Sequence, residues 1–243
     1  MGTTVVGLAA LLLFSACAAA PLSAHESPTS ELSPSPGPDS TDPPNVNGFD
    51  GTNKYFPVGV GHTWVYSIQD GAGEATLTDT MSTVVRDGPD VIATIDRTIH
   101  RSDGTTADES ISVDLVFHED GSMSEPLSYL VANTPGTLEW PSTAEFEAGT
   151  PKTGTFPVGD GGVVFSIVGQ GNESIAVPLG TFESRRLVQN LLLSGSGFVD
   201  VPWAPTYWLS PEVGIVRAEI PDYLFGGVSA VIELLSFTPG SAQ

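Results

Sequence analysis

The chain has 243 residues, 29 of them acidic and 8 basic, for a formal net charge of −21. The first fifty positions hold five acids and no lysine or arginine, so sixteen net negative charges fall on the rest, a field that repels nucleic acid and argues against DNA or RNA as partners. Cys17 is the single cysteine, which leaves everything after it without a disulfide, a thiolate metal site or a thiol nucleophile.

Val5 to Phe14 is an apolar run too short to span a bilayer, and Pro21 stops a helix soon after it. Such a run reads as a cleaved export signal. The stretch Leu12-Leu13-Phe14-Ser15-Ala16-Cys17 resembles the lipobox of bacterial lipoprotein signal peptides, with Phe14 where leucine is usual. Met1 to Val6 lacks the basic residues that such signals carry. The resemblance implies a signal peptide over residues 1–16, lipid attachment at Cys17, and anchoring in the cell envelope outside the cytoplasm. Two or more acyl chains on one residue give stable anchoring. An ordinary secretory signal and an uncleaved helical anchor are the alternatives; cleavage after Ala20 would put Pro21 directly behind the cut.

Residues 17–50 have a different texture, typified by Ser33-Pro34-Ser35-Pro36-Gly37-Pro38 and Asp42-Pro43-Pro44, with no aromatic residue between Cys17 and Phe49. Such composition cannot bury enough apolar surface to offset the entropy of ordering, so a disordered tether is expected. Extended at about 3.1 Å per residue, it would reach on the order of 50 to 100 Å.

Residues 51–243 read as one β domain. Trp64, Tyr66 and Ile68 alternate with Thr63, Ser67 and Gln69, and Ile111, Val113, Leu115 and Phe117 alternate with Ser110, Ser112, Asp114 and His118. Turn signals separate these runs at Asp70-Gly71, Asp87-Gly88-Pro89, Asp103-Gly104, Asp120-Gly121 and Asp160-Gly161-Gly162. Val163 to Val168, Leu187 to Leu193 and Val228 to Leu235 are apolar on both faces, which predicts a second covering layer there. No amphipathic helix exceeds two turns. A meander this long curls or splits, so the expected fold is mostly β: a single strongly curved antiparallel sheet, half-barrel or sandwich-like.

Chemistry-bearing patterns are sparse. His100, His118, Glu119 and Asp120 would approach one another if residues 91–101 and 109–118 pair as a hairpin, but their spacing matches no metal motif. Ser194-Gly195-Ser196-Gly197 lacks the spacing of a nucleophile elbow and reads as a loop. No glycine-rich phosphate cradle is present, so no cofactor is implied. Alternation over Val91 to Ile99 places Arg97 on the apolar face with Ile95. A buried arginine needs a partner: Asp79, which alternates with Leu77 and Met81, an anionic ligand in a cavity, or escape through a bulge or past the strand edge.

Three stretches together resemble a family of uncharacterised bacterial envelope lipoproteins. Tyr55-Phe56-Pro57-Val58-Gly59-Val60-Gly61-His62-Thr63-Trp64-Val65-Tyr66 is similar to its Tyr-Phe-Pro-Leu and Gly-Asn-x-Trp-x-Tyr segments. Val177-Pro178-Leu179-Gly180-Thr181-Phe182 and Tyr207-Trp208-Leu209-Ser210-Pro211-Glu212-Val213-Gly214-Ile215-Val216 are similar to its Val-Pro-Ala-Gly-Thr-Phe and Pro-Gly-Val-Gly-Leu-Val segments. The resemblance implies a curved sheet shaped like the half-barrel carriers of lipids and lipoproteins, and implies no activity. In the same stretches the residues predict a hairpin turn at Gly180-Thr181-Phe182 and a loop over Pro211 to Gly214.

Two readings of function stay open. One is a tethered lipoprotein that binds or carries an apolar or amphipathic ligand, with Trp64, Tyr66, Ile95, Arg97 and Phe117 facing it. The other is a structural or protein-interaction module of a surface complex. A hydrolase is the residual enzymatic reading, with no catalytic or metal residue to name. The sequence leaves the oligomeric state open.

Overall fold

Alternating apolar and polar side chains build thirteen strands among the described residues. The computed structural model describes residues 53–71, 73–102, 109–126, 136–158, 161–195, 198–221 and 228–240. The expected signal peptide, Cys17 and the tether to residue 50 lie outside the described residues, as does the turn signal Asp103-Gly104. The strands are β1 (Thr63–Asp70), β2 (Gly73–Asp87), β3 (Asp90–Arg101), β4 (Glu109–Phe117), β5 (Met123–Pro126), β6 (Thr137–Trp140), β7 (Lys152–Val158), β8 (Gly161–Val177), β9 (Gly180–Gly195), β10 (Phe198–Trp203), β11 (Thr206–Ser210), β12 (Gly214–Pro221) and β13 (Val228–Thr238). A six-residue helix, α1 (Thr143–Ala148), separates β6 from β7.

All strands join one antiparallel sheet in the order β6-β5-β4-β3-β2-β1-β13-β12-β11-β9-β8-β7, with β10 paired to β9 beside β11. The first strand pairs with the last in the middle of this order, and the sheet curves into a nearly closed barrel with one seam. The curved sheet expected from the sequence is therefore present, with its curvature carried further than a half-barrel. The seam falls in mid-chain, where β6 and β7 are the two edges.

Helix α1 bridges that seam and is held at both ends. Ser142 and Glu145 form a capping box, and Gly149 closes the other end in the left-handed region at φ 69°. Arg185 reaches over from β9, donating from Nε to the Phe146 carbonyl at 2.9 Å and from Nη2 to the Glu147 carbonyl at 2.6 Å, a cation set against the helix carboxyl end. Phe146 meets Tyr55 edge to face at 4.6 Å, and both its backbone and its ring edge come close to Gly169 of β8. A Cβ on residue 169 would fall 2.1 Å from the Phe146 carbonyl oxygen. The Gly169→Ala variant is expected to lose about 1–3 kcal/mol of unfolding free energy in denaturant titration; unchanged stability would mean that α1 lifts off at no cost.

The expected turn between β8 and β9 is corrected. Val177 pairs with Gly180, so the turn is Pro178-Leu179 and Gly180-Thr181-Phe182 already belongs to β9; the fixed φ of proline suits the first turn position. A single 17-residue strand runs through Gly169-Gln170-Gly171 because a bulge sets Gln170 and Gly171 opposite Arg186 alone. The far end of this hairpin touches β13, with the Leu179 N–H donating to the Leu234 carbonyl at 3.2 Å. Glu173 accepts from Trp208 Nε1 at 2.6 Å, and Arg186 and Arg217 stand over the Trp208 ring. The expected second layer does not extend over the other apolar runs. Val164 is 49% exposed, and its cross-strand partner Leu192 is 39% exposed. Ser194 and Gly195, expected in a loop, end β9, while Ser196 and Gly197 lie outside the described residues.

Candidate functional site

The segment before β1 caps the barrel. Asn53 is 1% exposed and donates from Nδ2 to the carbonyls of Gly121 at 3.0 Å and Pro141 at 3.1 Å. Its Oδ1 accepts from the Tyr55 N–H and the Thr143 hydroxyl. That anchor directs Phe56 inward, edge to face with Trp140 at 5.5 Å. The Gly61 N–H then bonds the Met81 carbonyl, and Met81 N–H bonds the His62 carbonyl, joining the cap to β2. His62 packs against Trp64 and Phe237 at 5.6 and 5.7 Å in a cluster of three rings and accepts from the Gly240 N–H through Nδ1. Burial pushes its pKa down, which favours the neutral ring that this stacking and acceptance require.

Under the cap lies an open-sided cavity with about 130 Å³ of space reachable by the centre of a water molecule. Trp64, Tyr66, Ile95, Arg97 and Phe117 all stand on its wall, together with Phe56, Met123, Glu125, Trp140 and Tyr207. The aromatic polar atoms are tied to backbone or to neighbouring side chains. Trp64 Nε1 donates to the Val213 carbonyl at 2.6 Å and the Tyr66 hydroxyl to the Ile215 carbonyl at 3.1 Å. These two bonds join the stretch around Tyr55–Tyr66 to the one around Tyr207–Val216, so the two stretches form one structural unit. Tyr207 donates to Gln189 Oε1 at 3.2 Å, and Trp140 Nε1 donates to Glu125 Oε2 at 3.0 Å.

Arg97 and Asp79 pair across β3 and β2. Nε meets Oδ1 at 2.7 Å and Nη2 meets Oδ2 at 2.5 Å, with both side chains 12% exposed. Of the alternatives in the sequence, the structure selects Asp79. A planar guanidinium forked onto a carboxylate has its charge matched by that partner, and the Arg97 side chain lines the cavity as well. Glu125 is a second acid on this wall. Burial raises its pKa to about 7, against the opposing effects of the Trp140 N–H bond and the Arg97 charge.

The histidine and acid cluster weighed from the sequence does not form. Residues 91–101 and 109–118 do pair, with Val91 opposite Phe117 and Ile99 opposite Glu109. Antiparallel register therefore puts His100 and His118 at opposite ends of the hairpin. Asp120 binds the backbone N–H and hydroxyl of Ser122. His118 lies between Asp90, 3.2 Å from Nδ1, and the Ser124 hydroxyl, 2.5 Å from Nε2. Ser124 is 4% exposed and donates to Glu139 Oε1 at 2.8 Å, so its hydroxyl proton is directed at that carboxylate and away from the imidazole.

Glu125, Trp140 and Phe56 escape a reading of the sequence as parts of a site. Met123-Ser124-Glu125-Pro126 is four residues long and half polar, which gives no periodic signal. The inward direction of Met123, seen in alternation with Ser124, is the one cue that places Glu125 on the same face.

No protein-family description matches the chain, and no curated protein matches it. Among solved structures, the chain is similar to a "putative lipoprotein" from Parabacteroides distasonis, with TM-score 0.56 and 16% identity, covering 77% of this chain and 99% of that one. It is also similar to a "putative exported protein with YmcC-like fold" from Bacteroides fragilis, with TM-score 0.52 and 14% identity, covering 77% of this chain and 100% of that one. At such identities the likeness is one of fold.

Proposed function

We propose that this chain is an exported lipoprotein, anchored through Cys17, whose barrel binds an apolar or amphipathic small molecule in the cavity beneath the cap. The cavity itself carries the reading. Six aromatic residues and several aliphatic ones converge on an open-sided hollow that also holds a few fixed polar groups, the composition typical of small-molecule sites. The fold shared with an exported protein and a lipoprotein supports the location, as does the stretch ending at Cys17.

A second reading, a protein-interaction module, is favoured by the paired exposed residues Val164 and Leu192 on the outer face. Native mass spectrometry of protein purified from its own envelope separates the two. A small-molecule adduct that Trp64→Ala abolishes is expected; a stoichiometric protein partner and no adduct would replace the first reading with the second. The Cys17→Ser variant is expected to move from the membrane fraction to the soluble exported fraction. Continued sedimentation with membranes would remove Cys17 as the anchor.

A further inference from the structure

The hydrogen-bonding groups of the cavity wall are unbalanced. The indole N–H groups of Trp64 and Trp140 and the hydroxyls of Tyr66 and Tyr207 each donate to a protein acceptor, and Arg97 donates from Nε and Nη2 to Asp79. The indole and hydroxyl donors of this wall are therefore engaged, and the Arg97 fork is taken up by Asp79. The acceptor side is in surplus: Glu125 takes one bond, from Trp140 to Oε2, and its other oxygen retains its lone pairs. Charge follows the same pattern, because Arg97 and Asp79 cancel and an ionised Glu125 leaves the wall net negative.

The surrounding surface favours the same sign. Phe56, Trp64, Tyr66, Phe117, Trp140 and Tyr207 line the hollow, and aromatic faces attract cations, most strongly where water is thin. An anion would meet a surplus of acceptors and the negative faces of rings. A neutral hydrocarbon would fill the space and leave the Glu125 carboxylate partly dehydrated with no partner.

We infer that the cavity selects an organic cation: an ammonium group set against Glu125, carried on an apolar body of about one ring. Size supports the body, since a cavity of about 150 Å³ accepts benzene and this one offers about 130 Å³ with an open side. The inference rests on the small-molecule reading above and names the ligand class. The charged groups facing Glu125 are Arg97 on β3 and Asp79 on β2, with Tyr66 on β1 and Tyr207 on β11 as the remaining titratable groups of the wall. Tyr66 stays protonated, its pKa raised well above the usual range by burial. Glu125 is then the group whose ionisation sets the pH dependence, and binding of an ammonium strengthens as pH rises through about 7.

Benzylamine, benzyl alcohol and phenylacetate are matched probes for the test, titrated calorimetrically into the exported chain carrying Cys17→Ser, which keeps the whole barrel and needs no detergent. At about pH 8 the amine is expected to bind about tenfold more tightly than the alcohol, as a charge-assisted bond allows, with phenylacetate weakest. Glu125→Gln is expected to remove the preference for the amine, so that amine and alcohol bind with similar affinity. Within the unmutated barrel, the preference for the amine should shrink as pH falls to about 5.5. Equal binding of amine and alcohol, a preference for phenylacetate, or a pH-independent preference for the amine would each overturn the cation inference while leaving an apolar binding cavity. Failure of all three probes to bind would overturn both readings.

Discussion

Between about pH 4.5 and about pH 8, the wild-type barrel is expected to lose up to about 3 kcal/mol of unfolding free energy relative to the Glu125→Gln variant. The cause is the partly buried carboxyl of Glu125 on β5. In the folded protein, burial holds its proton to about pH 7, whereas an ordinary glutamate releases it near 4.5. Between those values the folded state binds more protons than the unfolded chain, so stability falls as pH rises. The contribution is fully present below 4.5 and is lost as pH passes through 7. Glutamine keeps the acceptor for Trp140 and cannot ionise, so the variant should be the more stable protein at pH 8. Denaturant titrations of both proteins at several pH values measure the difference. Parallel curves for the two proteins would show that the Glu125 carboxylate is as well solvated in the barrel as in the unfolded chain.

Replacing Arg97 should have the largest effect of any single substitution on the wall. Arg97→Met leaves Asp79 on a buried face without its bidentate partner, and breaking a buried pair from one side costs about 3–5 kcal/mol. Single domains have about 5–15 kcal/mol in total, so the variant is expected to melt far below wild type. The double variant Arg97→Met/Asp79→Leu removes both charges and should recover most of the loss, because an apolar pair of similar volume suits this face. A double-mutant cycle reads the coupling directly. A loss below about 1 kcal/mol in the single variant would place the pair among solvated surface bridges.

Most of what is regular in this fold is legible in the residues. Alternation around Trp64 and Tyr66, and from Ile111 to Phe117, assigns inward faces that the structure keeps, because a half-buried strand can hide only every second side chain. The inward direction of Arg97 follows from the same rule, and so does its need for Asp79. What escapes the sequence depends on tertiary closure. The bulge between Gly169 and Asn172 looks like a chain break until its partner strand β9 is known. Exposure of Val164 and Leu192 depends on whether a further layer arrives, and the closed side of the barrel lies inward. Glu125 joins the cavity because Trp140 on the neighbouring strand β6 reaches it and the cap covers it, and neither relation leaves a local mark.

The pairing of β1 with β13 has a kinetic meaning. Thr63 meets Thr238 and Asp70 meets Ala230, so the pairing that joins the two halves of the sheet brings opposite ends of the domain together, while every other neighbour along β1 to β6 is a local hairpin. Contacts of such long sequence separation form slowly, since loop entropy is lost before they stabilise anything. A chain emerging amino end first can form β1 to β6 early, but the free edge of β1 stays open until residue 238 has emerged. During that interval β1 is an unprotected strand edge, the kind that recruits stray strands, and the length of the interval is set by how fast the chain emerges.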